Sequence, residues 1–231
     1  MKTQIAAALL AFSLAGTLAA QKQEADRLKE SALVLDEIMK APDDSIPGEL
    51  LSRAECVAVI PSLKKGAFIV GGRFGRGAVS CRTGAREAGP WGPPSMLTIG
   101  GGSVGFQLGG QSADIIMLVM NQRGMEHLTK SKFTLGADAA AAAGPKGRTA
   151  AAATDVMMRA EILTYSRARG LFAGVSLDGA SVRPDKDANQ RLYGHAVEAS
   201  ELLMKGGSVP AAAAPFVQAL TRHAPRNVSA K

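Results

Sequence analysis

Between Glu55 and Leu177 the chain sets short apolar runs between glycines: CVAVIP, GAFIVGG, SVGFQLGG, ADIIMLVMN, EILTYS and GLFAGVSL. Each is too short for a globular helix and rich in Val, Ile, Leu and Phe, which suit a pleated, half-buried surface. Glycine between them supplies tight turns and places where backbones approach closely. A β-sheet is therefore the expected core. With so few reactive side chains in the pattern, binding is expected rather than chemical transformation, and no cofactor is called for.

The first residues follow another logic. Lys2 precedes an uncharged run from Ile5 to Leu18 that closes on Ala19-Ala20-Gln21, the layout of a secretory signal peptide cut after Ala20. The run falls short of the roughly 20 residues a spanning helix needs, so a membrane anchor is the weaker reading. Three units are expected: a leader over 1–20, one folded domain over 21–205, and a weakly ordered tail over 206–231, where Pro, Ala and Gly accumulate. The location expected is periplasmic or extracellular. Without the leader the 27 basic residues lose only Lys2 against 20 acidic ones, leaving 26 minus 20, or +6. That balance favours acidic partners such as lipid headgroups or polyanionic envelope polymers. Nucleic acid is set aside for an exported protein.

Ala25, Leu28, Ala32, Leu35 and Met39 recur three and four apart, one stripe of an amphipathic helix ended by Pro42. Residues 22–40 hold four basic and five acidic side chains, whereas a membrane-surface helix wants a basic polar face, so this helix is expected to cover the sheet. A short helix over Ile46–Arg53 follows, with Ser45 as cap and Pro47 in its first turn. Strands Glu55–Ile60, Ala67–Gly72 and Ala78–Arg82 then read as a meander whose turns are Ser62–Gly66 and Arg73–Gly77. Further strands are expected over Met96–Ile99, Val104–Leu108, Ile162–Ser166 and Leu171–Leu177. The continuous apolar run Ala113–Met120 reads as a central strand covered on both faces. Helices are expected over Arg123–Ser131, Asp185–Tyr193 and Val197–Met204, with a short one from Pro215 to Arg222 in the tail. The fold class is α+β, a twisted, largely antiparallel sheet or partly closed barrel flanked by helices.

Motifs of known chemistry fail on context. Gly101-Gly-Ser-Val-Gly105 fits the pattern of a nucleophile elbow, but Val104, Phe106 and Leu108 alternate through it as a strand does, and an elbow must open a helix. The same alternation removes the dinucleotide reading of Gly100, Gly102 and Gly105. Gly144-Pro-Lys-Gly-Arg-Thr149 lacks the Gly-Lys-Ser/Thr ending of a P-loop. His127, His195 and His223 share no ligand spacing and read as solvated helix residues. Asp114 and Asp138 read as turn or capping groups.

Basic residues gather where strands turn: Lys64 and Lys65, Arg73 and Arg76, Lys146 and Arg148, Arg167 and Arg169. Loops at one end of a sheet converge, so several of these can form one anion-binding rim, each worth about 1 kcal/mol near an anionic surface. Arg148, Arg167 and Arg169 are the first choices because guanidinium forks suit phosphate, with Lys64, Lys65 and Lys146 in support. Trp91, the one tryptophan, either plugs the sheet edge or sits at headgroup level. Cys56 and Cys81 either pack as buried thiols or form a disulfide, which over about 25 residues would stabilise by about 3 kcal/mol.

Several stretches, in order, carry a resemblance. Trp91-Gly-Pro-Pro-Ser95, Gly101-Gly-Ser-Val-Gly-Phe-Gln-Leu-Gly109, Ser112-Ala-Asp-Ile-Ile116 and Tyr165-Ser-Arg-Ala-Arg-Gly-Leu-Phe-Ala-Gly-Val-Ser-Leu177 are similar to the SYLF lipid-binding domain family. Gly136-Ala-Asp138, Gly144-Pro-Lys-Gly-Arg148 and Asn189-Gln-Arg-Leu-Tyr-Gly194 keep the family's order, and the likeness runs over roughly residues 28–195. It implies binding of phosphoinositides or other anionic phospholipids, peripheral association with membranes, actin binding in the yeast branch, and no enzymatic activity. It also turns the alanine-rich stretches Ala137–Ala143 and Thr149–Ala153 into short strands, against the helical propensity of alanine.

Overall fold

The computed structural model describes residues 2–40, 45–67, 71–84, 89–103, 111–145, 160–168 and 171–225, with side chains from Gln21 onward except those of 65–67, 71, 103 and 111. Nine strands are described: β1 Cys56–Ala67, β2 Gly71–Cys81, β3 Ser95–Ser103, β4 Gln111–Val119, β5 Phe133–Thr134, β6 Ala141–Ala143, β7 Ile162–Ala168, β8 Leu171–Gly174 and β9 Ser181–Pro184. They form one curled half-barrel sheet in the order β5-β9-β3-β2-β1-β4-β7-β6, with β8 also on β7. Every pairing is antiparallel except β6 with β7. The helices are α1 Lys2–Met39, α2 Gly48–Arg53, α3 Gln122–Thr129, α4 Lys186–Tyr193 and α5 Ala214–His223, with a π-helical turn over Glu201–Lys205.

Side chains alternate across a strand, and here both faces are buried. Val57 and Val59 of β1, Ile116 and Leu118 of β4, and Leu163 and Tyr165 of β7 face a core built with α1, α4 and α5. Cys56, Ala58 and Ile60, with Ile115, Met117 and Val119, face a second core closed by α3, Phe133, Val182 and Leu203. Double burial explains why β4 is apolar without alternation.

The expected meander is corrected by two long strands. Ser62–Gly66 lies inside β1 and Arg73–Gly77 inside β2; the chain reverses between Ala67 and Gly71, which pair with each other. The polar and glycine residues mark curl, not turns. The register shifts between Val59 and Lys64, where Ser62 takes a φ of 52° and donates its N–H to Asp114 Oδ1 at 2.9 Å. A Cβ on Gly77 would lie 2.1 Å from the Val59 carbonyl oxygen, so the strands cross there at a distance only glycine allows.

Other differences are local. α2 begins at Gly48 with Pro47 in the cap position and no side-chain cap, so Ser45 does not serve. β5 and β9 are too short to stand out from their surroundings in the sequence. The helix expected over Val197–Met204 is the π-helical turn Glu201–Lys205. The strands expected over Val104–Leu108 and Thr149–Ala153 lie outside the described residues. Beyond Gly206, where weak order is expected, α5 buries Phe216, Ala219 and Leu220 against α1.

α1 covers the sheet with Leu28, Ala32, Leu35 and Ile38, and its acidic residues tie it down. Fully buried Glu24 accepts from Arg191 of α4 at 2.8 Å and pairs with Arg27. Asp36 accepts from Arg222 at 2.7 Å, and Glu37 pairs with Arg167 of β7. The carboxylates that make α1 a poor membrane helix are its anchors to the domain. Among the described residues no helix is long and apolar enough to cross a membrane.

Candidate functional site

One end of the sheet gathers the strand connections. Ala67 pairs with Gly71, Gly71 with Ser103, Lys65 with Gln111, Asp114 with Arg167, and Ala168 with Leu171. The β1–β2, β3–β4 and β7–β8 connections therefore share that end, which is called the tip here. β6 runs parallel to β7 and reaches Ala143 opposite Thr164, so the chain leaves it in the tip direction. Cys56 and Cys81 sit at the far end, direct partners on β1 and β2 with Cα atoms 3.9 Å apart, and are joined by a disulfide.

The residues singled out from the sequence divide into three groups. Lys64 is exposed on β1 near the tip, and Lys65 follows it in the strand with its side chain outside the described set. Lys146, Arg148 and Arg169 also lie outside the described residues. Arg167 and Trp91 are both engaged inside the protein. Arg167 donates Nε and Nη2 to Asp114 Oδ2 at 3.1 and 2.8 Å and pairs with Glu37 through Nη1. Burial works against its charge, but the hydrogen bonds from Arg167 to Glu37 and Asp114 outweigh it and push the guanidinium pKa up. Trp91 is 3 % exposed, and its Nε1 donates to the Ala224 carbonyl at 2.9 Å. It has no surface to offer a bilayer in this fold.

The remaining groups follow the same accounting. Asp138 Oδ2 accepts from the Thr134 N–H at 2.7 Å, a turn-closing role, and Asp114 binds Ser62 and Arg167. His127 is not solvated: it is buried on α3, its Nε2 3.4 Å from Glu161 and its ring against Phe133. His223 is half-buried, with Nε2 2.7 Å from Asp36 Oδ1, whereas His195 is exposed. Gly101–Ser103 ends strand β3, and the residues that would have to open a helix for an elbow, from Val104 on, lie outside the described residues. Among the described residues no group of three His, Cys, Asp or Glu is placed to hold a metal ion.

Sequence reasoning missed two exposed residues of the sheet, Phe74 toward the tip and Arg183 nearer the middle of the strands. Phe74 of β2 is 48 % exposed, with the Arg76 guanidinium 5.8 Å from its ring centre. Arg183 of β9 is exposed and held by Thr98, to whose hydroxyl its Nε donates at 3.1 Å. Phe74 falls in a stretch with the composition of a turn, and the strand that carries Arg183 is four residues long.

Comparison with known proteins identifies relatives of the chain. Residues 100–223 match the family model described as "Ysc84: Las17-binding protein actin regulator". An SH3 domain-containing YSC84-like protein 1 of Bos taurus is 31 % identical over 198 residues, covering 83 % of this chain and 57 % of the relative. Protein YSC84 of Saccharomyces cerevisiae is 31 % identical over 204 residues, 85 % of this chain and 43 % of the yeast protein. An SH3 domain-containing protein of Schizosaccharomyces pombe is 35 % identical over 178 residues, 76 % of this chain and 40 % of its own length. The chain thus spans about half the length of the curated relatives it matches. A family model that matches more than half of the chain, and relatives 31 % and 35 % identical over at least 76 % of it, show that this chain belongs to the Ysc84 (SYLF) family.

Proposed function

We propose that this is a non-catalytic module that binds anionic phospholipid or phosphoinositide headgroups through basic residues at the tip of its sheet. The observation that carries the reading is the register: three strand connections share one end. Lys64 and Lys65 stand beside that end, and Arg169 falls in the chain between Ala168 and Leu171, which pair there. Lys146 and Arg148 follow β6 in the chain, the strand that runs toward it. Arg167 has no part in the rim, because Asp114 and Glu37 take its charge. A net charge of +7 and a disulfide that fits an oxidising, exported setting support the same reading. Co-sedimentation with vesicles of graded phosphatidylserine content tests it. Binding should rise with anionic content and fall with salt, and a Lys64→Ala/Lys65→Ala/Arg148→Ala variant should lose most of it; indifference to anionic content ends the proposal.

The family model's description favours a second reading, binding to actin or to another polymer met at the cell envelope. Pelleting with actin filaments in the absence of lipid separates the two.

A further inference from the structure

We infer that the α1-side face of the sheet beside the tip is a seat for one anionic phospholipid, floored by Gly72, Gly100 and Gly102 and rimmed by Phe74, Lys64, Arg76 and Arg183. The inference rests on the lipid-binding reading above and gives it a site on residues not assigned to it so far, Lys64 and Arg76 apart.

Alternation sets these side chains on one face. Ala78 of β2 and Met96 of β3 belong to the α1-side core, so Arg76, Phe74 and Gly72, and likewise Thr98, Gly100 and Gly102, share that side. Register lines them up across the sheet. Lys64 pairs with Phe74, Phe74 with Gly100 and Gly72 with Gly102, and Arg76 pairs with Thr98, which pairs with Arg183.

Among the described residues, nothing packs against the three glycines closely enough to require them. None has a backbone conformation reserved for glycine, a Cβ on Gly72 or Gly102 would meet nothing within 4 Å, and one on Gly100 would make only ordinary contacts at 3.6 and 3.9 Å. On the opposite face of the same strand, by contrast, Gly75 and Gly77 would place a Cβ 2.6 and 2.1 Å from β1. Glycine inside a strand weakens it; the β2–β3 register runs past all three without a bulge, and beside the curl of the sheet a ligand's close approach to the backbone is the use that an exposed basic rim favours.

The rim matches a phosphate joined to an apolar body. Lys64 and Arg183 meet no carboxylate among the described residues, and Arg76 has only Asp185 Oδ2, 3.7 Å away and beyond hydrogen bonding. Asp114 is already engaged by Ser62 and Arg167. Arg76 and Arg183 stand two strands apart, roughly 10 Å, a span that a headgroup can bridge with its oxygens on two guanidinium forks. The bare floor and the uncovered Phe74 ring then take the glycerol and first methylenes, as aromatic residues do at the bilayer interface. A peptide adding as a strand finds no free edge along the row from Phe74 to Arg183, because β2 lies between β1 and β3, and β3 is paired with β9 as far as Gly100.

Valine in place of glycine separates the seat from the fold. In the full chain, Gly72→Val/Gly102→Val fills open space with a good strand former, so the urea midpoint should hold or rise. Binding to vesicles of phosphatidylserine in phosphatidylcholine should fall at least about tenfold, and Arg183→Gln, a change to an exposed side chain, should lower it about fivefold. If both variants bind as wild type while wild type still prefers phosphatidylserine, the seat is wrong and the loop reading survives. If wild type shows no preference over phosphatidylcholine alone, both fall. If a polyglutamate peptide binds instead, with the same dependence on Gly102 and Arg183, the lipid is overturned as the occupant.

Discussion

The indole Nε1 of Trp91 and the carbonyl of Ala224 are joined by a hydrogen bond of 2.9 Å that fastens the end of α5 to the sheet. The same oxygen accepts from Arg82 Nη2 at 2.8 Å, and the Arg82 guanidinium lies 4.2 Å from the indole ring centre. Arg82 is 2 % exposed, and burial lowers its pKa to about 10. The negative end of α5 and the face of the indole stabilise a cation that has no carboxylate partner among the described residues.

Truncation after Gly206 should therefore do far more than trim a tail. It removes Phe216, Leu220 and the shared acceptor at Ala224, leaving a buried cation with half its contacts gone, and a loss of at least about 5 kcal/mol is expected. A truncated chain that unfolds in urea at the wild-type midpoint would contradict this.

Trp91 should report the fold and not the bilayer. Its emission should already be blue-shifted in buffer and should stay fixed when phosphatidylserine vesicles are added, because the indole is buried. Trp91→Phe keeps a ring but loses the hydrogen bond, and should cost about 1–2 kcal/mol in a urea titration.

Arg167 should behave as a structural cation. Arg167→Gln leaves Asp114 and Glu37 without their partner and should lower stability by about 1–2 kcal/mol. Vesicle binding, corrected for the folded fraction, should not change. A double-mutant cycle with Asp114→Asn isolates the coupling, and a coupling of zero would refute the geometry.

Asp36 makes stability depend on acid. Burial would raise its pKa, but hydrogen bonds from Arg222 and His223, then their charges, hold it below the ordinary carboxylate value. A carboxylate lowered by folding stabilises above its unfolded pKa of about 3.9, and that contribution is lost as pH falls through the lower folded value. Asp36→Asn should thus be less stable than wild type at pH 7, with the gap closing below about pH 4. Urea midpoints across that range measure it.

The disulfide should matter to stability and not to binding. Cys56→Ala/Cys81→Ala reopens a loop spanning 25 residues at the end of the sheet away from the tip, and should cost about 3 kcal/mol. Lipid binding measured well below the unfolding transition should be unchanged.

Much of the architecture is legible in the residues. Ala113–Met120 is apolar at every position except Asp114, which forces a strand buried on both faces, and β4 lies between β1 and β7 with both cores against it. The spacing of Leu28, Ala32 and Leu35 demands one covered helix face whatever lies beneath it. The glycines are harder. Gly75 and Gly77 carry the composition of a turn, yet they lie within β2 because β1 presses against them, and no local signal distinguishes a glycine that turns from one that yields space.

The site divides in the same way. That cations recur near strand ends is a fact of sequence; which of them are free is not. Arg167 and Arg183 look alike in the chain, but the register of β4 with β7 places Asp114 beside Arg167, whereas β9 meets β3 at Thr98 and leaves Arg183 exposed. Period and composition determined the sheet, its covering helix and the basic balance, because those follow from each segment's need to bury an apolar face. Which charges are neutralised, and that a row of glycines lies bare among the described residues, was decided only by tertiary structure, because pairing across strands joins residues that the chain holds far apart.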